Sequence, residues 1–121
     1  MANPFVHLEL NSTDVASSKN FYGKLFDWKL EDVPMDAGFV YTMIGVGEGT
    51  GGGMMKQMIP GAPSSWLAYV LVDDIVAATQ KAGSLGAKIM KDVTEVMGMG
   101  RLSILVDPTG AMFGLWQPNR K

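Results

Sequence analysis

Laid against itself with a shift of 60 positions, the chain repeats: Asp14 meets Asp74, Val15 meets Ile75, Ala16 and Ser17 meet Val76 and Ala77, Gly23 meets Gly83, and Leu25 meets Leu85. Further on, Ile44 meets Ile104 and Val46 meets Val106, while Thr50-Gly51 and Thr109-Gly110 align after a one-residue slip. Each match is weak alone. Found in one register within two copies of the same element order, they indicate a duplication, so the fold is built from two similar units.

The order of elements in each copy follows from hydrophobic period and turn chemistry. Phe5 to Leu10 reads as a strand, and Asn11-Ser12-Thr13-Asp14 supplies turn and cap residues. Val15, Ser18, Phe21, Tyr22, Leu25 and Phe26 then recur at helical spacing, with Thr13 or Asp14 offering an oxygen to the first-turn amides. Trp28 to Val33, Phe39 to Val46 and Met54 to Met58 are strand candidates, separated by Pro34-Met35-Asp36-Ala37-Gly38 and by the glycine-rich run from Gly45 to Gly53. After the Pro/Gly/Ser connector, Trp66 to Val72 reads as a strand, Asp73-Asp74 caps a helix through Leu85, and Gly86 ends it. Ala87 to Val93, Gly100 to Val106 and Met112 to Trp116 complete the second copy, the last two strands joined across Asp107-Pro108-Thr109-Gly110. The expected architecture is α+β, one domain over 1–121 with two tandem βαβββ units: unit one at 4–58, a connector at 59–65 and unit two at 66–118.

Strand alternation assigns faces. Val6, Leu8 and Leu10 should lie under the first helix and His7 and Glu9 on the opposite face; Ala68, Val70 and Val72 should lie under the second helix, with Leu67, Tyr69 and Leu71 opposite. Taking Thr42, Ile44 and Val46 as the counterparts of Leu102, Ile104 and Val106 leaves Phe39, Tyr41, Met43, Arg101 and Ser103 on the helix-free side, and Gly114 and Trp116 join them. That side combines apolar walls with a few polar groups, as a small-molecule site requires.

Composition narrows the chemistry. A net charge of −2 and the lack of a basic run argue against nucleic acid or an anionic membrane as partner. No apolar run reaches membrane-spanning length, and the amino end has no basic region followed by an apolar core. With no cysteine there is neither disulfide nor thiolate site, which fits a cytoplasmic setting. Ser12, Ser17 and Ser18 have no histidine at predictable spacing, so a serine nucleophile lacks support. The Gly45–Gly53 run opens a strand instead of a helix and lacks a Lys-Ser/Thr ending, so it reads as a hairpin connection over a cavity and not as a phosphate loop.

The paired units, the helix ending Asn20-Phe21-Tyr22-Gly23-Lys24-Leu25-Phe26-Asp27-Trp28 and the Asp107-Pro108-x-Gly110 turn resemble the vicinal oxygen chelate superfamily of glyoxalase I, bleomycin-resistance proteins and extradiol dioxygenases. The ending Phe113-Gly114-Leu115-Trp116-Gln117 looks most like the glyoxalase-like proteins of the mycobacterial secreted-antigen type. The resemblance implies that each unit is a curved mixed sheet with one covering helix, that a cavity lies between the units, and that the chain forms a homodimer.

In the metal-dependent members a divalent ion sits on His, Glu or Gln ligands from first and last strands, and His7 falls on the first of those positions. The others fall on Met54 and Met55, on Leu67 and on Gly114, whose side chains offer no hard donor. The expected cofactor is therefore none; a divalent metal is disfavoured, although Glu9 beside His7 leaves a two-ligand site open. The leading expectation is a metal-free protein binding a small apolar or aromatic molecule, with Tyr41, Met54, Tyr69, Arg101 and Trp116 as ligand contacts. The alternative is a lyase or isomerase-like enzyme, in which His7 moves a proton, Glu9 orients it and Arg101 stabilises negative charge. A purely protein-interacting dimer is a third class.

Overall fold

The computed structural model describes residues 2–35, 38–96 and 98–119; Asp36 and Ala37 of the expected first-copy turn lie outside the described residues. Among the described residues the order is β1 Phe5–Ser12, α1 Val15–Leu25, β2 Lys29–Pro34, β3 Val40–Gly45, β4 Gly52–Lys56, then β5 Ser65–Leu71, α2 Ile75–Ser84, β6 Lys88–Val96, β7 Gly100–Val106 and β8 Met112–Pro118. The βαβββ order is present twice. The chain divides into two compact units, His7–Leu67 and Met1–Val6 with Ala68–Lys121.

In the first unit the strands run β2-β3-β4-β1. The β1–β4 pair is parallel, with Leu8 opposite Gly52, Glu9 opposite Gly53 and Leu10 opposite Met54, and the other pairs are antiparallel. In the second unit the strands run β5-β8-β7-β6, β5 and β8 parallel, with Tyr69 opposite Gly114 and Val70 opposite Leu115. Each is a mixed sheet in which a crossover through the helix and two further strands brings the last strand beside the first. The chain's opening residues complete the second unit, where Leu71 N donates to Pro4 O at 2.9 Å and Asn3 Nδ2 donates to Leu71 O at 2.8 Å.

Both helices start at the aspartates that the repeat singles out. Asp14 accepts from Ser17 N and Asp74 from Ala77 N, each at 3.1 Å, satisfying one orphan first-turn amide in each helix. The helices cover the two cores. Leu10, Ile44 and Met54 are buried with Val15, Tyr22, Trp28, Leu30 and Val46 around them; Ile75, Leu105 and Leu115 are buried with Val70, Ala78, Ala82 and Phe113 among their neighbours.

These cores correct one expectation. Leu10 and Val15 correspond to Val70 and Ile75 at a shift of 60, but Ile44 and Met54 correspond to Leu105 and Leu115 at a shift of 61. One residue enters between α2 and β7, where β6 pairs with two register shifts, between Ile89 and Lys91 and between Lys91 and Thr94. A one-residue slip moves every side chain to the other face. Arg101, Ser103 and Leu105 therefore turn toward α2, not away from it, and Leu102, Ile104 and Val106 take the opposite side. Ser103, fully buried, shares a 2.9 Å hydrogen bond with Thr79 of α2.

Candidate functional site

In the first unit the expected grouping forms on the helix-free face. Leu10 turns into the core, so its neighbour Glu9 and, two residues back, His7 point away from α1; Thr42 and Ile44 are buried on the helix side, which sends Tyr41 the other way. His7 Nε2 lies 2.7 Å from Tyr41 Oη, and Tyr41 Oη donates to Glu9 Oε1 at 3.0 Å. The His7 and Tyr41 rings stack at 6.1 Å between centroids. Glu9 is 6% exposed. Burial lowers the His7 pKa from its ordinary 6.5, favouring the neutral ring.

Gly53 makes room for this arrangement. It stands opposite Glu9 on β4, and a Cβ there would run into the Cε2, Cζ and Oη atoms of Tyr41. The second unit repeats the device: Gly114 stands opposite Tyr69, and a Cβ there would run into the Tyr69 ring. Trp116 lies on the same strand face as Gly114, its ring edge over Gly100. Sequence reasoning assigned the tyrosines to this face and missed the glycines as their seats; glycine within a strand is the signal that marks such close approach.

Two expected contacts lie elsewhere. Met54 is 0% exposed in the helix-side core, because it pairs with Leu10 and shares its phase. Arg101 Nη2 donates to Gln117 Oε1 at 3.3 Å, and the same oxygen accepts from Ile75 N at 2.8 Å at the start of α2. The guanidinium therefore serves the helix end, for the register reason given above. An unanticipated apolar recess of about 170 Å³ opens on the helix side of the first unit, walled by Leu8, Ile44, Val46, Trp28 and Trp66. Its two tryptophans meet edge to face at 6.4 Å.

A helix-backed βαβββ unit made twice, with a tyrosine seated on a strand glycine in each copy, defines a duplicated α+β protein with a ring-lined face in each half. The chain belongs to the Glyoxalase/Bleomycin resistance protein/Dioxygenase superfamily, whose family model matches residues 5–115. It is 37% identical over 118 residues to "Putative glyoxylase CFP32" of Mycobacterium tuberculosis, a match covering 93% of this chain and 45% of that protein. To "Anthracycline biosynthesis protein DnrV" of Streptomyces peucetius it is 28% identical over 123 residues, covering 90% of this chain and 45% of that protein. The chain thus spans about half the length of these curated relatives. Among solved structures, methylmalonyl-CoA epimerase from Mycobacterium tuberculosis aligns with a TM-score of 0.72 at 14% identity, over 96% of this chain and 88% of that one. The hypothetical protein BH1468 of Bacillus halodurans aligns equally well, at 0.72 and 17% identity over 100% and 98% of the two chains. At such identities these structures share the fold alone.

The vicinal oxygen chelate resemblance implies a divalent ion, and the donors present do not fit one. Among the described residues no group of three or more His, Asp or Glu side chains is placed to hold a metal. The strand positions facing Glu9 and Tyr69 are glycines, and each is occupied by a tyrosine ring. Hard divalent ions require oxygen or imidazole ligands at those places.

Proposed function

We propose that the chain binds a small apolar or aromatic molecule, without a metal ion, on the helix-free face of the first unit where His7, Tyr41 and Glu9 are joined. In the second unit half-buried Trp116 is the aromatic contact of the same kind, beside a Tyr69 that is itself buried. One observation carries the reading: the histidine and carboxylate of this face are bound through the Tyr41 hydroxyl, so they present a linked polar group amid rings, not separate donors for an ion. An aromatic ligand is in keeping with a relative whose name places it in anthracycline biosynthesis. The reading includes a cytoplasmic setting, which rests on the cysteine-free composition, and a homodimer, to which the exposed rings of Phe21, Phe26 and Trp66 contribute.

The test is a thermal-shift screen of aromatic and aliphatic small molecules on chelator-washed protein. A ligand that binds only the folded chain stabilises it by about 2.7 kcal/mol at a hundredfold excess over Kd, so a hit raises the melting temperature. Zinc, nickel, manganese or iron added alone should leave it unchanged. An ion that raises the melting temperature and survives the chelator wash would sink the metal-free reading.

A second reading is favoured by the neutral, half-buried His7 with a carboxylate behind it: proton transfer to or from the ligand, as in a lyase or isomerase. Its test is deuterium uptake at an acidic C–H of a screening hit in heavy water. Exchange above the buffer rate that disappears in His7→Ala supports it, and uptake at the buffer rate rejects it.

A further inference from the structure

We infer that the apolar recess on the helix side of the first unit is a binding site for a small molecule that inserts one uncharged aromatic ring, seated where the second unit carries its own Phe113. The site lies on the face opposite to the one in the proposed function and does not depend on that reading.

The duplication identifies what the recess lacks. In the first unit Gly52 of β4 pairs with Ile44 of β3, and in the second Phe113 of β8 pairs with Leu105 of β7. Ile44 and Leu105 are matching core residues, as are Met54 and Leu115 two positions further along β4 and β8. Residues two apart on a strand share a face, so Gly52 and Phe113 hold the same place on the helix side. Phe113 packs there against Ile75, Leu105 and Leu115. The first unit has the same strands in the same register and no side chain at that place, and the recess opens over Gly51 and Gly52.

The chain cannot fill this gap from its own floor. A Cβ on Gly52 would run into the Leu8 carbonyl, and one on Gly51 would approach Ile44 O at 3.0 Å. The walls suit a ring. Leu8, Ile44 and Val46 are aliphatic, and Trp28 and Trp66 cross at 82°, so they offer an incoming ring both a face and an edge. All of these residues belong to the first unit. Among the described residues that line the recess none is charged, so the inserted group is uncharged as well. Its volume of about 170 Å³ is near the roughly 150 Å³ of an engineered apolar cavity that stays dry and takes up benzene. A recess of this size accepts one ring, whereas a stable protein interface buries at least about 1,200 Å². The occupant is therefore a free small molecule and not a second copy of the chain.

The experiment is a benzene titration of the full chain, uniformly labelled with ¹³C and ¹⁵N and followed by NMR. Saturable shifts are expected at the Leu8 and Ile44 methyls and the Trp28 and Trp66 indoles. Val46→Phe and Leu8→Phe each put a ring into the recess from a different wall. Whichever of them keeps the wild-type fold should bind benzene at least about ten-fold more weakly, the effect of forfeiting burial of about two methylene-sized groups. The wild-type titration decides even where neither variant folds. No saturable shift at those residues, or unchanged affinity in a folded variant, would overturn the inference. So would Leu8 and Ile44 signals that move with protein concentration alone and ignore benzene, the mark of a second copy in the recess. Benzene shifts confined to His7 and Tyr41 would also overturn it while supporting ring binding on the helix-free face, so the two readings fail separately.

Discussion

Desolvation lowers the pKa of His7 below its ordinary 6.5, and the consequence for stability has a definite sign. Between the folded and unfolded pKa values the unfolded chain binds more protons, so stability rises with pH through that interval and levels off above about 6.5. Lowering the pH from about 7.5 to 5.5 should therefore depress the melting temperature, and the slope should shrink in His7→Gln. An equal slope in both proteins would show that the ring is not desolvated. The carboxylates act in a different window. Lys19 and Thr42 hold Asp32 below 3.8, and the Thr109 hydroxyl with the Ala111 and Thr109 amides does the same for Asp107. Their contribution is present above 3.8 and is lost only as the pH falls through their lowered values. At this scale the sequence was legible where chemistry is local. Asp14 and Asp74 were readable as caps, and alternation within single strands put His7, Glu9 and Tyr41 on one face. Met54 was not readable, because its phase depends on which β4 residue faces Leu10.

At the scale of elements, β6 explains what the repeat could not. Two one-residue register shifts in its pairing with β7 change the offset between the copies, and from β7 onward Arg101 and Ser103 turn toward α2. The bulges leave no mark on the hydrophobic pattern, so the sequence carries the shift of 60 into β7, where the cores have a shift of 61. The buried Thr79–Ser103 bond occupies the place that Lys19, Asp32 and Thr42 fill in the first unit, where Thr42 Oγ1 donates to Asp32 Oδ1 at 2.7 Å and Lys19 Nζ donates to Asp32 Oδ2 at 2.9 Å. The second unit's version is dry. Thr79→Ala would leave the Ser103 hydroxyl buried without its partner and should cost about 1–3 kcal/mol in urea unfolding. Adding Ser103→Ala should recover part of that loss, because two apolar groups replace the pair. If the double variant is as unstable as the sum of the singles, the two side chains do not interact in solution.

For the molecule as a whole, the exposed rings are the feature to explain. Phe21 is 57% exposed, Phe26 44% and Trp66 42%, all in the first unit and each in ring contact with Tyr22, and exposed apolar groups clustered in this way commonly mark an interface. Sedimentation should give the mass of two chains, and Phe21→Ser with Phe26→Ser should shift it toward one; a wild-type monomer at all concentrations would remove the dimer from the proposal. The hydrogen bonds of Asn3 and Pro4 to Leu71 have their own bearing on how the protein is made. Leu71, to which both bond, leaves the ribosome 68 positions after Asn3, a wait of roughly 3 to 14 s at ordinary translation rates. Until then Asn3 and Pro4 lack both of these hydrogen bonds. Severing the chain in the turn before β5 would accordingly yield a carboxyl-terminal fragment stripped of its opening segment.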